Sequence, residues 1–208
     1  MKKYFAEAIG TFAIVFCGTG AIIINQQTNG SVTHPGIAIT FGLIVMAMIY
    51  AFGSISGAHF NPAVSIAFAV SGKFAARQLI PYIISQLSGA VLASLLLKFL
   101  FPANELLGAT LPAGSDMQSF VLEVILTFLL VLIILHVADN QAMMAGLIIG
   151  SVILLEAMFA GPICGASMNP ARSFAPACVS VHFEHLWIYI TAPVIGALFA
   201  VFVWRTIK

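Results

Sequence analysis

Charge is what this chain has least of. Only 7% of its 208 residues are Asp, Glu, Lys or Arg, and 61% are hydrophobic; an ordinary soluble domain carries about 25% charged residues. At a mean hydropathy of +1.09, polar groups are too few to cover a water-soluble globule. The class that remains is a polytopic membrane protein. A formal net charge of +1 offers no basic face, so no nucleic-acid partner is expected. Cysteine is also sparse: Cys17, Cys164 and Cys178 fit neither a disulfide framework nor a zinc spacing. The histidines form no cluster with metal-ligand spacing, so no metal or other cofactor is expected. No nucleophile stands at motif spacing from a base, so no catalytic residues are assigned and an enzyme is not expected.

Long apolar runs are plentiful. A membrane-spanning helix needs roughly 20 mostly apolar residues, and such stretches occur at about 4–26, 36–53, 79–100, 118–138, 142–160 and 186–205. The opening "MKKYFAEAIGTF" begins a long run with no small-residue cleavage site and reads as a retained first span. Two further apolar stretches, 61–70 and 169–178, cover roughly 14 Å each, about half the hydrocarbon thickness. Such lengths suggest re-entrant half-helices. Six spans would bring Lys2, Lys3, Lys73, Arg77, Arg205 and Lys208 to one side, and Lys98 and Arg172 to the other. The positive-inside rule then predicts cytoplasmic termini in a multi-pass cell-membrane protein. The loop "FPANELLGATLPAGSDM" has acids but no bases and falls outside.

The chain also repeats itself. "SGAHFNPAVS" at 56–65 returns as "CGASMNPARS" at 164–173, "EAIGTF" at 7–12 as "EVILTF" at 123–128, and "YIISQLSGA" at 82–90 as "YITAPVIGA" at 189–197. Three spans per half is odd, so the halves insert upside-down relative to each other. The expected fold is an all-α membrane protein, with six transmembrane helices plus two re-entrant half-helices in an inverted three-helix repeat. It forms a single channel domain over 1–208, with repeats at 1–101 and 118–208.

Each decapeptide contains a helix start. Asn61 and Asn169 are good N-caps, and Pro62 and Pro170 suit the first helical position, followed by Ala63 and Ala171. Capping uses the Asn oxygen and leaves its amide hydrogens as donors. Two such caps meeting at the midplane would present two donors beside two helix N-termini, whose dipoles oppose cations and accept neutral molecules. The residues just before each Asn should be extended. The carbonyls of Gly57, Ala58 and His59, and of Gly165, Ala166 and Ser167, would form acceptor ladders along a wet conduit.

These residues resemble the aquaporin, or major intrinsic protein, family over nearly the whole chain, through "SGAHFNPAV", "GASMNPARS" and the paired acids Glu7 and Glu123. "AGPICGASMNPARSFAPA" and "WIYITAPVIGA" look like its nodulin-type branch. The resemblance implies a passive channel for water and small uncharged solutes such as glycerol, urea, ammonia or metalloid hydroxides, excluding protons and ions. It also implies a homotetramer with one pore per subunit in the lipid bilayer. Glu7 and Glu123 would brace the re-entrant loops, although intramembrane acids also permit a proton-relay reading. Arg172 would line an outer constriction with Phe41, Ala157 and Ala166; a snorkelling Arg is the other reading. Strict water channels resemble Phe, His, a small polar residue or Cys, and Arg at these positions. Glycerol channels resemble an aromatic, Gly, a second aromatic and Arg. The present set is wider, with one aromatic wall and one cation. Ser173 and Ala177 stand where glycerol facilitators carry an acid and a base.

Other readings stay open. A strict water channel fits the motifs. A secondary transporter shares inverted repeats and broken helices, but the midplane here is asparagine and proline. Glu156, next to Ala157, faces either the pore or a helix neighbour or subunit interface. His59 is a packing residue or a mild pH-sensitive gate. His34, His182 and His185 are expected in outer loops, and His136 near carbonyls at a helix end.

Overall fold

The computed structural model describes residues 1–140 and 142–208. Among them the regular structure is helical: α1 (Lys2–Gln27), α2 (Thr33–Ser56), α3 (Pro62–Val70), α4 (Leu79–Leu100), α5 (Asp116–Asn140), α6 (Ala145–Cys164), α7 (Pro170–Ser180) and α8 (Leu186–Ile207), with 3₁₀ turns at Ala76–Gln78 and Ala142–Met144. Six helices are long and apolar enough to cross a membrane. The two short ones, α3 and α7, are the half-helices expected from the run lengths.

Polarity is distributed inside-out. Glu7, Gln86, Glu123 and Arg172 are buried, while Phe5, Ile84, Leu92, Phe159, Phe199 and Phe202 are exposed. In lipid the outward face needs no polar cover, and the polar groups turn inward to one another. Helix association then rests on close approach rather than hydrophobic exclusion, which favours small residues at crossings. Gly89 of α4 lies against the Ala8 carbonyl of α1, and Gly196 of α8 lies equivalently against the Val124 carbonyl of α5. These are the glycines of the repeated "SGA" and "IGA" segments. α2 crosses α6 where Gly42 meets Gly150, and α3 and α7 each pack on α4 and α8 between these pairs.

The basic ends converge as the charge pattern predicts. Lys3 Nζ donates to Gln78 Oε1 at 2.5 Å, Lys73 and Lys208 both reach Asp139, and Arg205 donates to the Val70 carbonyl. One end of the bundle thus gathers both chain termini and two loops.

α6 runs to Cys164, four residues past the expected end, despite Pro162 inside it. Proline has no N–H, so the Met158 carbonyl loses its helical donor. His34 supplies the replacement: its Nε2 lies 2.8 Å from the Met158 oxygen. A carbonyl only accepts, so Nε2 carries the proton. His34 is therefore not an outer-loop residue as expected. It stands in the first turn of α2, half-buried, and fastens that helix to α6. The helix then stops at Gly165, whose N–H still bonds the Gly161 carbonyl and whose left-handed backbone (φ 81°) turns the chain out of the helix.

His34→Ala should cost about 1–2 kcal/mol, the usual penalty for a semi-buried acceptor left unpaired. His34→Gln, which retains a donor, should recover part of it. Equilibrium unfolding in detergent checks this, and an Ala variant as stable as the parent would contradict it.

Candidate functional site

The half-helices begin where the Asn-Pro-Ala segments predict. Asn61 (φ −153°, ψ 122°) and Asn169 (φ −146°, ψ 105°) are extended. Asn61 Oδ1 accepts from the Ala63 N–H at 2.9 Å, and Asn169 Oδ1 accepts from the Ala171 N–H at 3.0 Å. Pro62 and Pro170 follow as first helical residues. The expectation that both amide hydrogens stay available needs correcting. Asn61 Nδ2 donates to the Met168 carbonyl at 2.7 Å, and Asn169 Nδ2 donates to the Phe60 carbonyl at 3.0 Å. These reciprocal bonds tie the two segments head to head. An amide nitrogen carries two hydrogens, so each Asn keeps one for something else.

The residues before each Asn are not extended, contrary to expectation. Gly57, Ala58 and Phe60 have φ of 86°, 52° and 50°, and Gly165, Ala166 and Met168 have 81°, 42° and 53°. Two buried carboxylates explain this. The N–H groups of His59 and Phe60 donate to Glu7 Oε1 and Oε2 at 3.0 and 2.7 Å. Those of Ser167 and Met168 donate to Glu123 Oε1 and Oε2 at 2.7 and 2.8 Å. An extended strand alternates its N–H groups between two sides, so consecutive amides facing one carboxylate require left-handed residues. Among the described residues no peptide bond is cis. In a trans peptide the carbonyl of one residue points opposite to the next residue's N–H. The carbonyls of Ala58 and His59 therefore aim away from Glu7, and those of Ala166 and Ser167 aim away from Glu123. Glu7 also accepts from Ser56 Oγ at 2.7 Å and Gln86 Nε2 at 2.8 Å. This is brace geometry, with every carboxylate oxygen of both acids occupied.

Those carbonyls turn toward a cavity of about 710 Å³, lined by Gly57, Ala58, His59, Asn61, Ala166, Ser167 and Asn169. Gly165 does not line it. That glycine ends α6, and a Cβ there would lie 3.0 Å from Thr110, so its place is in the cap rather than the ladder. Phe41, Ala157, Ala166 and Arg172 all line the cavity, although four different segments carry them. Phe41 fits because its ring lies where a Cβ on Gly18 would be. Arg172 is 3% exposed, so it does not snorkel. Its Nη1 donates to the Gly108 carbonyl at 2.9 Å, and its guanidinium stands 5.1 Å from the Phe41 ring centre, within cation–π range.

The segment between α4 and α5 does more than its composition suggests. Besides the Gly108 carbonyl, it supplies Thr110, whose hydroxyl donates to Ser173 Oγ at 2.8 Å; Ser173 Oγ is in turn 2.5 Å from Ser167 Oγ. No sequence motif marks Gly108 or Thr110, which lie in the segment that joins α4 to α5. His59 is a packing residue. Its ring stacks on Phe68 at 4.6 Å, meets Phe74 edge-on at 4.8 Å, and its Nδ1 lies 3.1 Å from Ser65 Oγ. His136 Nδ1 lies 2.9 Å from the Leu132 carbonyl, one turn back within α5, rather than at the helix's last carbonyls as expected. Among the described residues no group of three His, Cys, Asp or Glu is placed to hold a metal ion.

Two half-helices meeting inside six membrane-length helices, beside a cavity with polar groups on one wall, define a multi-pass membrane protein of the channel type. The family model described as major intrinsic protein matches residues 1–204, and the chain belongs to that family. It is 49% identical over 212 residues to "Aquaporin NIP1-1" of Zea mays, spanning 100% of this chain and 75% of that protein. It is 44% identical over 212 residues to "Nodulin-26" of Glycine max, spanning 100% and 78%. Among solved structures, the aquaglyceroporin from Plasmodium falciparum superposes with a TM-score of 0.89 at 26% identity, over 98% of this chain and 94% of that one.

Removing Glu123 would strand two buried N–H groups, at about 1–3 kcal/mol each. Folded yield in detergent, read by size-exclusion chromatography, should fall in the order wild type, Glu123→Gln, Glu123→Leu, since Gln keeps one acceptor oxygen and Leu none. Equal yields would contradict the brace.

Proposed function

We propose that this chain is a passive transmembrane channel that conducts water and small uncharged solutes, glycerol-sized molecules included, and opposes protons and other ions. The observation that carries this reading is the junction of the two half-helices. Each of Asn61 and Asn169 holds one amide hydrogen across the junction and has a second to offer. A water molecule or a solute hydroxyl arriving there accepts from both. Its own hydrogens are then directed outward, to the carbonyls of Ala58 and His59 on one side and of Ala166 and Ser167 on the other. The N-termini of α3 and α7 add positive potential at the same point, which a neutral dipole tolerates and a cation does not.

The gate sets the size limit. Phe41 offers an apolar wall, Arg172 offers donors and a positive charge, and Ala157 and Ala166 contribute only methyl groups. Without a histidine or a second aromatic the opening admits more than a single file of water. The known relatives support the same direction: one is named an aquaporin and one an aquaglyceroporin. We place the protein in the cell membrane with both termini cytoplasmic, on the strength of the basic cluster at one end of the bundle, and as a homotetramer, by family likeness. Glu7 and Glu123 act as braces rather than as a proton relay, since their oxygens are fully engaged by loop donors.

Stopped-flow light scattering on proteoliposomes tests this. An inward glycerol gradient should give fast shrinkage and then fast reswelling, and Ala157→His with Ala166→Thr should slow reswelling more than shrinkage. Shrinkage without reswelling in the wild type would make this a strict water channel. Unchanged reswelling in the well-folded double variant would remove those two residues from the gate.

A further inference from the structure

Each re-entrant loop is held by more than its glutamate. In the first loop Gln86 Nε2 donates to Ser65 Oγ at 2.9 Å, and Ser65 Oγ lies 3.1 Å from His59 Nδ1. Ser65 is the fourth residue after Asn61, and His59 is the second before it. The second loop fills the same two positions about Asn169 with Ser173 and Ser167, whose hydroxyl oxygens are 2.5 Å apart. Gln86 has no counterpart there. The repeat of 82–90 at 189–197 puts Pro193 in its place, and proline has no side-chain donor. Thr110, from the segment between α4 and α5, supplies the missing donor. Its hydroxyl donates to Ser173 Oγ at 2.8 Å, as Gln86 donates to Ser65.

The protons of this second chain run one way. Thr110 donates to Ser173, and Ser167 donates to the Asn169 carbonyl at 3.0 Å. A hydroxyl has one proton, so Ser173 is left to donate to Ser167. All three side chains are buried, where a made hydrogen bond is not exchanged for one to water. The base of the chain is firm on both sides. Leu107 is fully buried against Ile23 and Leu97, and its N–H donates to Asn104 Oδ1 at 2.7 Å. Beyond Thr110, the Ala113 N–H donates to the Ile163 carbonyl at 2.9 Å. The Thr110 methyl meets Gly165, the neighbour of the gate residue Ala166.

We infer that Thr110 is a positioning residue for the gate: through Ser173 and Ser167 it holds the second loop back from the conduit, at the width a glycerol-sized solute needs. This rests on the channel reading above. Ala166 and Ser167 both line the cavity, whereas Thr110 is not among the lining residues and acts only through the two serines. Glu123 holds the N–H groups of Ser167 and Met168 but not the Ser167 side chain. A loop released from Thr110 has buried side chains behind it and the cavity before it, so it relaxes into the cavity. The gate then narrows, and a given narrowing obstructs glycerol more than water.

The test compares wild type, Thr110→Ser, Thr110→Val, Ser173→Ala and the double variant Thr110→Val/Ser173→Ala in proteoliposomes, with glycerol and water permeability measured on the same preparations. Ser keeps the hydroxyl, and Val keeps the shape without it. The glycerol-to-water ratio should fall about five-fold in Thr110→Val, the factor carried by one hydrogen bond, and stay within roughly two-fold of wild type in Thr110→Ser. The double variant should fall no further than the lower of its two single variants, because both break the same chain. If Thr110→Val does not fold, Ser173→Ala carries the test alone, with the same expected fall. An unchanged or raised ratio overturns the inference. So does an equal fall in Thr110→Ser, which would make the residue one of packing, or additive losses in the double variant, which would separate Thr110 from Ser173. A wild-type protein that passes no glycerol overturns the wide-gate reading and this inference together, and is recognised before any variant is measured.

Discussion

A membrane interior supplies no water to an unpaired backbone amide, so a chain that leaves the helix at mid-depth must bring its own acceptors. Here the acceptors are two glutamates. Glu7 and Glu123 each hold two consecutive N–H groups, and the rest of the centre follows from that. Consecutive amides on one side force left-handed residues, and the trans peptide then turns the carbonyls of Ala58, His59, Ala166 and Ser167 the other way. The same geometry delivers Asn61 and Asn169 to the point where each reaches the opposite loop. The brace and the polar wall of the cavity are thus two sides of the same four peptide groups.

This constraint reaches outward through α1. One helix carries Glu7, which braces the first loop; Gly10, against which the Phe60 ring lies; and Gly18, which makes room for Phe41. Its position is set in turn by the contact of Ala8 with Gly89 of α4. A substitution at that crossing, which adjoins the Glu7 brace, would therefore disturb the first loop. The segment between α4 and α5 works from the other side, fixing Arg172 through the Gly108 carbonyl and Ser173 through Thr110. The arginine, whose donors would otherwise be free to find any acceptor, is held against the aromatic wall.

The parts legible in the sequence are those carried by local chemistry or by repetition. Asn-Pro-Ala states a helix start, ten apolar residues state a half-span, and the recurrence of Glu7 as Glu123 pairs the two braces. Two things were hidden because they depend on partners far along the chain. His34 reads as a loop histidine until Pro162 is seen to deprive Met158 of a donor 124 residues away. The left-handed alternation at Ala58, Phe60, Ala166 and Met168 runs against the preference of any residue but glycine, so only the carboxylate opposite explains it. Glu156 could be singled out as an acid in an apolar run, but that neither oxygen finds a partner among the described residues is a property of the packed molecule.

The central claim is that the junction of the half-helices lets neutral molecules through while opposing charge. It is tested most directly by measuring osmotic water flux and ionic conductance on the same reconstituted protein across a range of protein densities. The account predicts water permeability that rises in proportion to protein while conductance, to protons included, stays at that of the protein-free bilayer. Conductance that rises with protein in step with water flux would contradict it.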